Sequence, residues 1–230
     1  MKSPVTHAAA VIVGGGSGNR YGGDKLTALI AGKPVIAWTM QAFQAVPSIE
    51  SIVLVVPQGR EEEFHSISRS AGISKLIAIV TGGSTRHESV SKGLLALPTA
   101  IELVAIHDAA RPLVSPELIG RCLQVASQSG ASAAASPVSD TLHQVDQEGC
   151  AVRTIDRSGL WAMQTPQVFP ATGLKNLLET QLPGTPTDEV SVALSAGWRI
   201  PFVENHEPNL KITWPSDIKV AEALLQARSA

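Results

Sequence analysis

The fold is decided by Ala8-Ala9-Ala10-Val11-Ile12-Val13, which runs directly into Gly14-Gly15-Gly16-Ser17-Gly18-Asn19-Arg20-Tyr21-Gly22-Gly23-Asp24-Lys25. Six apolar residues without alternation mark a strand buried on both faces, the signature of a parallel sheet covered by helices. They are too few to span a bilayer or to form a signal-peptide core, so a soluble, cytoplasmic chain is expected. Six glycines then fall within ten residues. Backbone N–H groups can converge on an anion there without side-chain interference. In an open α/β sheet, the carboxyl end of a strand is also where ligands sit.

The same pattern repeats outward. Apolar runs at 51–56, 75–80 and 103–106 alternate with amphipathic stretches at 34–46, 61–71 and 84–97. A fifth strand is expected near 132–138. Pro34 suits a first helical turn, Ser84 suits a cap, and Ser115-Pro116-Glu117 reads as an N-cap, an N1 proline and an acidic first turn. The expected fold is α/β, a Rossmann-like, doubly wound, mostly parallel sheet. The rhythm changes at 141–145 and 151–155, two short alternating runs around Asp146-Gln147-Glu148-Gly149. They predict a β-hairpin arm projecting from the domain, at about 139–158. A strand near 159–168, helices near 174–181, 188–196 and 215–227, and an extended piece at 199–204 complete the prediction. The whole of 1–230 reads as one domain plus the arm.

Composition narrows the function. The 230 residues are 44% hydrophobic and 17% charged, with net charge −2 and two cysteines, Cys122 and Cys150. This excludes a disordered chain and a disulfide scaffold. It also argues against a nucleic-acid surface, which is usually basic. Phosphate recognition must then be local.

Three phosphate loops compete for the glycine stretch. A dinucleotide loop needs a further glycine where Tyr21 stands, and an acid after the second strand, where the chain reads Val56-Pro57-Gln58. A Walker loop needs lysine where Asp24 stands. The third pattern, G-x-G-x-R followed by lysine, is met by Gly16-Ser17-Gly18-Asn19-Arg20 and Lys25. It is shared by many sugar and alcohol nucleotidyltransferases.

Further blocks follow in order: Gly82-Gly83-Ser84-Thr85-Arg86-His87-Glu88-Ser89-Val90, His107-Asp108-Ala109-Ala110-Arg111-Pro112, and Pro137-Val138-Ser139-Asp140-Thr141. Then come Asp156-Arg157-Ser158-Gly159-Leu160-Trp161, Thr165-Pro166-Gln167, Thr187-Asp188-Glu189 and Asn209-Leu210-Lys211-Ile212-Thr213. This set resembles the 2-C-methyl-D-erythritol 4-phosphate cytidylyltransferase family over nearly the whole chain. The resemblance implies CTP and a polyol phosphate as substrates, Mg²⁺ or another divalent cation, a place in non-mevalonate isoprenoid biosynthesis, and a homodimer through the arm.

It also implies roles. Arg20 and Lys25 would hold the triphosphate, and Arg157 and Lys211 the acceptor phosphate, as catalytic groups. Gly14, Gly15, Gly16, Ser17, Gly18, Gly82, Gly83 and Ser89 would bind the nucleotide. Asp108, Arg111 and Thr141 would hold the body of the acceptor, with Asp108 also a candidate metal ligand. Arg157 and Thr141 would act in the partner subunit's site. Residue chemistry leaves other roles open. Arg111 could pair with an acid instead, Arg86 could be a structural ion pair, His107 a satisfied buried histidine, and Asp188-Glu189 an ordinary acidic helix start. The loop departs from the family at Asp24, where proline is common, and an acid beside the lysine could weaken its pull on phosphate. Rivals are a ribitol 5-phosphate cytidylyltransferase, an NAD-binding domain, and a nucleotide-binding relative without catalysis.

Overall fold

The computed structural model describes residues 7–15, 21–180 and 187–229, the side chain of the last excepted. Gly16, Ser17, Gly18 and Arg20 therefore lie outside the described residues.

The chain starts with β1 (Ala8–Val13), a ribbon of β2 (Leu29–Ile30) and β3 (Lys33–Pro34), then α1 (Val35–Gln44) and β4 (Ile49–Val56). Next are α2 (Glu61–Ser70), β5 (Leu76–Thr81), α3 (Arg86–Leu95), β6 (Leu103–Asp108), α4 (Pro116–Ser129) and β7 (Ser132–Pro137). The arm is β8 (Leu142–Val145) and β9 (Ala151–Ile155). Then come β10 (Trp161–Pro170), α5 (Ala171–Glu179), α6 (Glu189–Ser195), β11 (Phe202–Glu204) and α7 (Ser216–Ser229).

The main sheet has the order β11-β7-β10-β6-β1-β4-β5. Every pair in it is parallel except those of β10, which runs antiparallel to both β6 and β7. The chain leaves β1 towards β4 and β5 on one side, then returns through α3 to β6 on the other. The loop after β1 thus lies at the reversal of strand order, the place where such sheets open a crevice.

Strand alternation builds two cores. Ala10 and Ile12 of β1, Ile52, Leu54 and Val56 of β4, and Leu103 and Ala105 of β6 face α1, α2, α4 and α7. Val11, Val53, Val55, Val104 and Ile106 face the other side, where α3, α5 and α6 pack. This double burial explains why the strands read as unbroken apolar runs. Gly93 of α3 is required for this packing, since a Cβ there would lie 2.4 Å from Val11 Cγ1.

Three local readings are corrected. Pro34 ends β3 and stands at the N-cap of α1, one residue before the helical turn expected for it. The β2–β3 ribbon has no counterpart in the sequence reading; its turn places both Ala31 and Gly32 at positive φ, a two-residue geometry that matches strand twist. Thr85, not Ser84, caps α3 by accepting from Glu88 N. Ser84 instead donates through its N and Oγ to Glu88 Oε2, at 2.7 and 2.8 Å. Ser115 caps α4, with Pro116 in the first turn, as expected.

Candidate active site

A pocket of about 700 Å³ opens at the carboxyl ends of β1, β4, β5 and β6. That volume lies in the ordinary range for a small-molecule site. One wall is nearly bare backbone. Gly14 N donates to Val55 O at 2.8 Å, and a Cβ on Gly14 would fall 2.7 Å from Leu26 Cδ1. Gly15 and Gly82 meet back to back, each leaving a Cβ just over 3 Å from the other's Cα. A Cβ on Gly83 would fall 2.2 Å from Glu88 Cβ, so only glycine fits. Ser89, nearly buried, ties this wall together: its Oγ accepts from Gly83 N at 3.0 Å and donates to Thr85 O at 2.9 Å. Gly14, Gly15, Gly83 and Ser89 line the pocket, while Gly82 stands behind Gly15.

The opposite chemistry gathers at the end of β6. Asp108 receives Lys211 Nζ at 2.8 Å, Arg86 at 3.4 Å and Arg111 Nε at 3.7 Å. Burial opposes its charge, but Arg86, Lys211 and Arg111 together hold the carboxyl well below the usual carboxylate range. Arg86 is itself shared: its Nη1 contacts both oxygens of buried Glu189 at 2.6 Å. Burial lowers the guanidinium's proton affinity, but Glu189 and Asp108 outweigh that and hold it charged. The ion-pair reading of Arg86 is therefore correct. Asp188 caps α6 through Ser191 N at 2.9 Å, as an acidic helix start should.

Arg111 serves a neighbouring stretch of chain as well: its Nη1 donates to Asn209 O at 2.7 Å. It is not in the pocket wall, whereas Asp108, Lys211, Arg86 and Lys25 are. His107 is fully buried and hydrogen-bonded at both ring nitrogens, to Thr165 Oγ1 at 2.9 Å and Arg111 O at 3.3 Å. Arg111 O can only accept, so the neutral imidazole carries its hydrogen on Nε2, and the Thr165 hydroxyl, which accepts from Asp108 N at 3.2 Å, donates to Nδ1. Burial pushes its pKa down to about 3, so the ring is neutral.

Asp24, in the wall beside Lys25, is paired: Arg60 Nη2 reaches its Oδ2 at 2.6 Å. Sequence reading missed Arg60, Thr85 and Pro57 as wall residues. Their only signal was position, at the ends of β4 and β5. Arg157 and Thr141 are not among the residues of this wall. Both are exposed at the arm, where Arg157 Nη1 donates to Ser139 O.

Among the described residues no group of three or more His, Cys, Asp or Glu side chains could hold a metal ion. Asp108, encircled by three cations, is a salt-bridge partner in this arrangement and does not fit a protein-held magnesium ion.

Fold and site together define a class: an α/β nucleotide-binding protein with a glycine wall at the strand-order reversal and a cationic wall beside it. The family model for IspD, 2-C-methyl-D-erythritol 4-phosphate cytidylyltransferase, matches residues 8–227. Curated relatives of that description are 42% identical in Parasynechococcus marenigrum (strain WH8102), over 95% of this chain and 97% of that protein, and 40% identical in Nostoc sp. (strain PCC 7120 / SAG 25.82 / UTEX 2576), over 95% and 97%. Among solved structures, the 4-diphosphocytidyl-2C-methyl-D-erythritol synthase of Anaerococcus prevotii DSM 20548 superposes with TM-score 0.85 at 26% identity, covering 96% of this chain and 97% of that one. The 2-C-methyl-D-erythritol 4-phosphate cytidylyltransferase of Thermus thermophilus gives 0.77 at 29%, covering 94% and 98%. The chain belongs to the 2-C-methyl-D-erythritol 4-phosphate cytidylyltransferase family.

Proposed function

We propose that this chain is a cytidylyltransferase that converts CTP and 2-C-methyl-D-erythritol 4-phosphate to 4-diphosphocytidyl-2-C-methyl-D-erythritol and pyrophosphate, in isoprenoid precursor biosynthesis. The observation that carries the reading is the pairing of a glycine wall with a cationic wall in one pocket. A phosphate oxygen of the acceptor attacks the α-phosphorus of CTP. The new O–P bond forms as the bond to the β-phosphate oxygen breaks, and pyrophosphate departs.

No general base is required, because a phosphate monoester is already largely dianionic at neutral pH, with a second pKa of about 6. The neutral, buried His107 accordingly has no proton-transfer role. The difficulty is the meeting of two anions, so the protein's work is positioning and charge neutralisation. In this proposal Lys25 and Arg20 neutralise the triphosphate, and the backbone at Gly14, Gly15 and Gly83 approaches the nucleotide. Lys211 faces the acceptor phosphate while Asp108 fixes the lysine's position, and Arg111 braces Asp108. The nucleotide arrives as its Mg²⁺ complex, a substrate-borne ion.

The arm completes the site in a homodimer, with Arg157 and Thr141 reaching the acceptor phosphate in the partner's pocket. This part is supported by the exposed apolar side chains Val145, Val152, Leu160 and Phe202 on the arm and its base. A cytoplasmic location is likewise proposed; no helix among the described residues is long and apolar enough to cross a membrane. The deciding assay is pyrophosphate release from CTP with 2-C-methyl-D-erythritol 4-phosphate and ribitol 5-phosphate offered separately. Release with the first acceptor is expected, and release with ribitol 5-phosphate alone would reassign the substrate.

A further inference from the structure

Arg60 lines the same pocket as Lys25 but comes from a different loop, at the N-cap position of α2 just after β4. Its guanidinium is fixed from several sides. Nε donates to Glu63 Oε2 at 2.7 Å, and the guanidinium carbon lies 5.0 Å from the ring centroid of Phe64, which is fully buried. Nη2 then crosses to Asp24 Oδ2 at 2.6 Å.

Asp24 is equally fixed. Its Oδ1 accepts from Leu26 N at 3.0 Å, and its Oδ2 accepts from Thr27 Oγ1. Leu26 is anchored in turn: its side chain packs in the core, and its carbonyl accepts from Ile36 N at 3.0 Å. The turn that carries Lys25 is thus pinned to the core at Leu26 and to α2 at Asp24. An unpaired carboxylate in the wall of a triphosphate pocket would repel its ligand, and the Arg60 guanidinium cancels that charge.

We propose that Arg60, acting through Asp24, is a positioning residue for the nucleotide: the pair clamps the turn 24–27 to the start of α2 and sets the Lys25 ammonium towards the triphosphate. This rests on the CTP reading above. Burial works against the Asp24 charge, but Arg60, Thr27 and the Leu26 N–H together hold its carboxyl below the ordinary range, so the clamp persists across neutral pH. Both side chains are about a third exposed, so the clamp contributes little to global stability and its effect is local.

The test is CTP titration in the presence of Mg²⁺ and absence of acceptor, paired with steady-state kinetics and thermal melts. The proteins are wild type, Arg60→Met, Asp24→Asn, the double variant and Arg60→Lys. Each of the two single changes should weaken CTP binding and raise the KM for CTP about tenfold, with the acceptor KM and Tm unmoved. The double variant should be no worse than the weaker single, because both remove one interaction. Arg60→Lys, which can still reach Asp24, should recover most of the affinity. Wild-type binding by both singles, multiplying effects in the double, or tighter binding by Asp24→Asn would overturn the clamp while leaving the CTP reading intact. A wild-type chain that binds no CTP would sink that reading, and the clamp with it.

Discussion

The Asp108 cluster and the β8–β9 arm carry two halves of one proposed task, gripping a phosphorylated acceptor, and they are built in opposite ways. Asp108 is nearly buried, ends a central strand, and has its charge answered by Lys211, Arg86 and Arg111 within the same chain. Arg157 and Thr141 are exposed on a two-stranded ribbon outside the main sheet, and neither reaches the pocket wall of its own chain. Low dielectric and a rigid sheet make the first region costly to perturb. In the proposed dimer the second region acts against a surface that another chain supplies.

The sharpest way to break this contrast is Asp108→Asn. Removing the anion leaves Lys211 and Arg111 without their carboxylate while Arg86 keeps Glu189, and should cost about 3 kcal/mol of stability in denaturant unfolding, together with most of the activity. An unchanged denaturation midpoint would show that the cluster is far better solvated than its burial indicates. Lys211→Ala should lower kcat/KM by about 10²–10³-fold, the scale of losing one preorganised donor. Undiminished turnover would remove Lys211 from the acceptor site.

Arg157→Ala should behave as an arm residue. We expect a rise of about tenfold in acceptor KM, with kcat and Tm nearly constant. Mixing that variant with Lys25→Ala should restore activity above either alone if sites are shared between subunits; absence of recovery would make the site self-contained. The last expectation is a slope with pH. Folded His107 has its pKa pushed to about 3 against 6.5 unfolded, so the unfolded chain binds the extra proton between those values. Stability should therefore fall as pH drops through that window, and His107→Gln should flatten part of the decline in urea titrations at successive pH values.

The parallel strands were legible because burial on both faces writes itself as unbroken apolar runs, and Ser115-Pro116 announced α4 through cap chemistry alone. The antiparallel insertion of β10 between β6 and β7 had no local signal; strand direction is set by tertiary pairing between segments far apart in the chain. The ribbon at Leu29–Pro34 escaped because two-residue strands have no period to detect. Within the site, glycines and the His107-Asp108 strand end stood out by residue type. The Arg86–Glu189 contact joins positions 103 apart in sequence, and Arg60–Asp24 joins positions 36 apart. Charge pairing at such separations exists only once the sheet has brought the strand ends together.

Strand β10 has one further consequence. It begins at Trp161, where the arm rejoins the body, and its Gln164 accepts from both Asn205 and Asn209. Its Thr165 carries Asp108 N and the His107 ring, and its Gln167 donates to Asp188 while accepting from Val190 N. One strand is thus both the stem of the arm and the shelf beneath the Asp108 cluster. Any surface that grips the ribbon also holds the root of that shelf, about 13 Å along the sheet from Gln167, the four-residue span of β7 from Pro137 to Ala133, so docking and site geometry share a single lever.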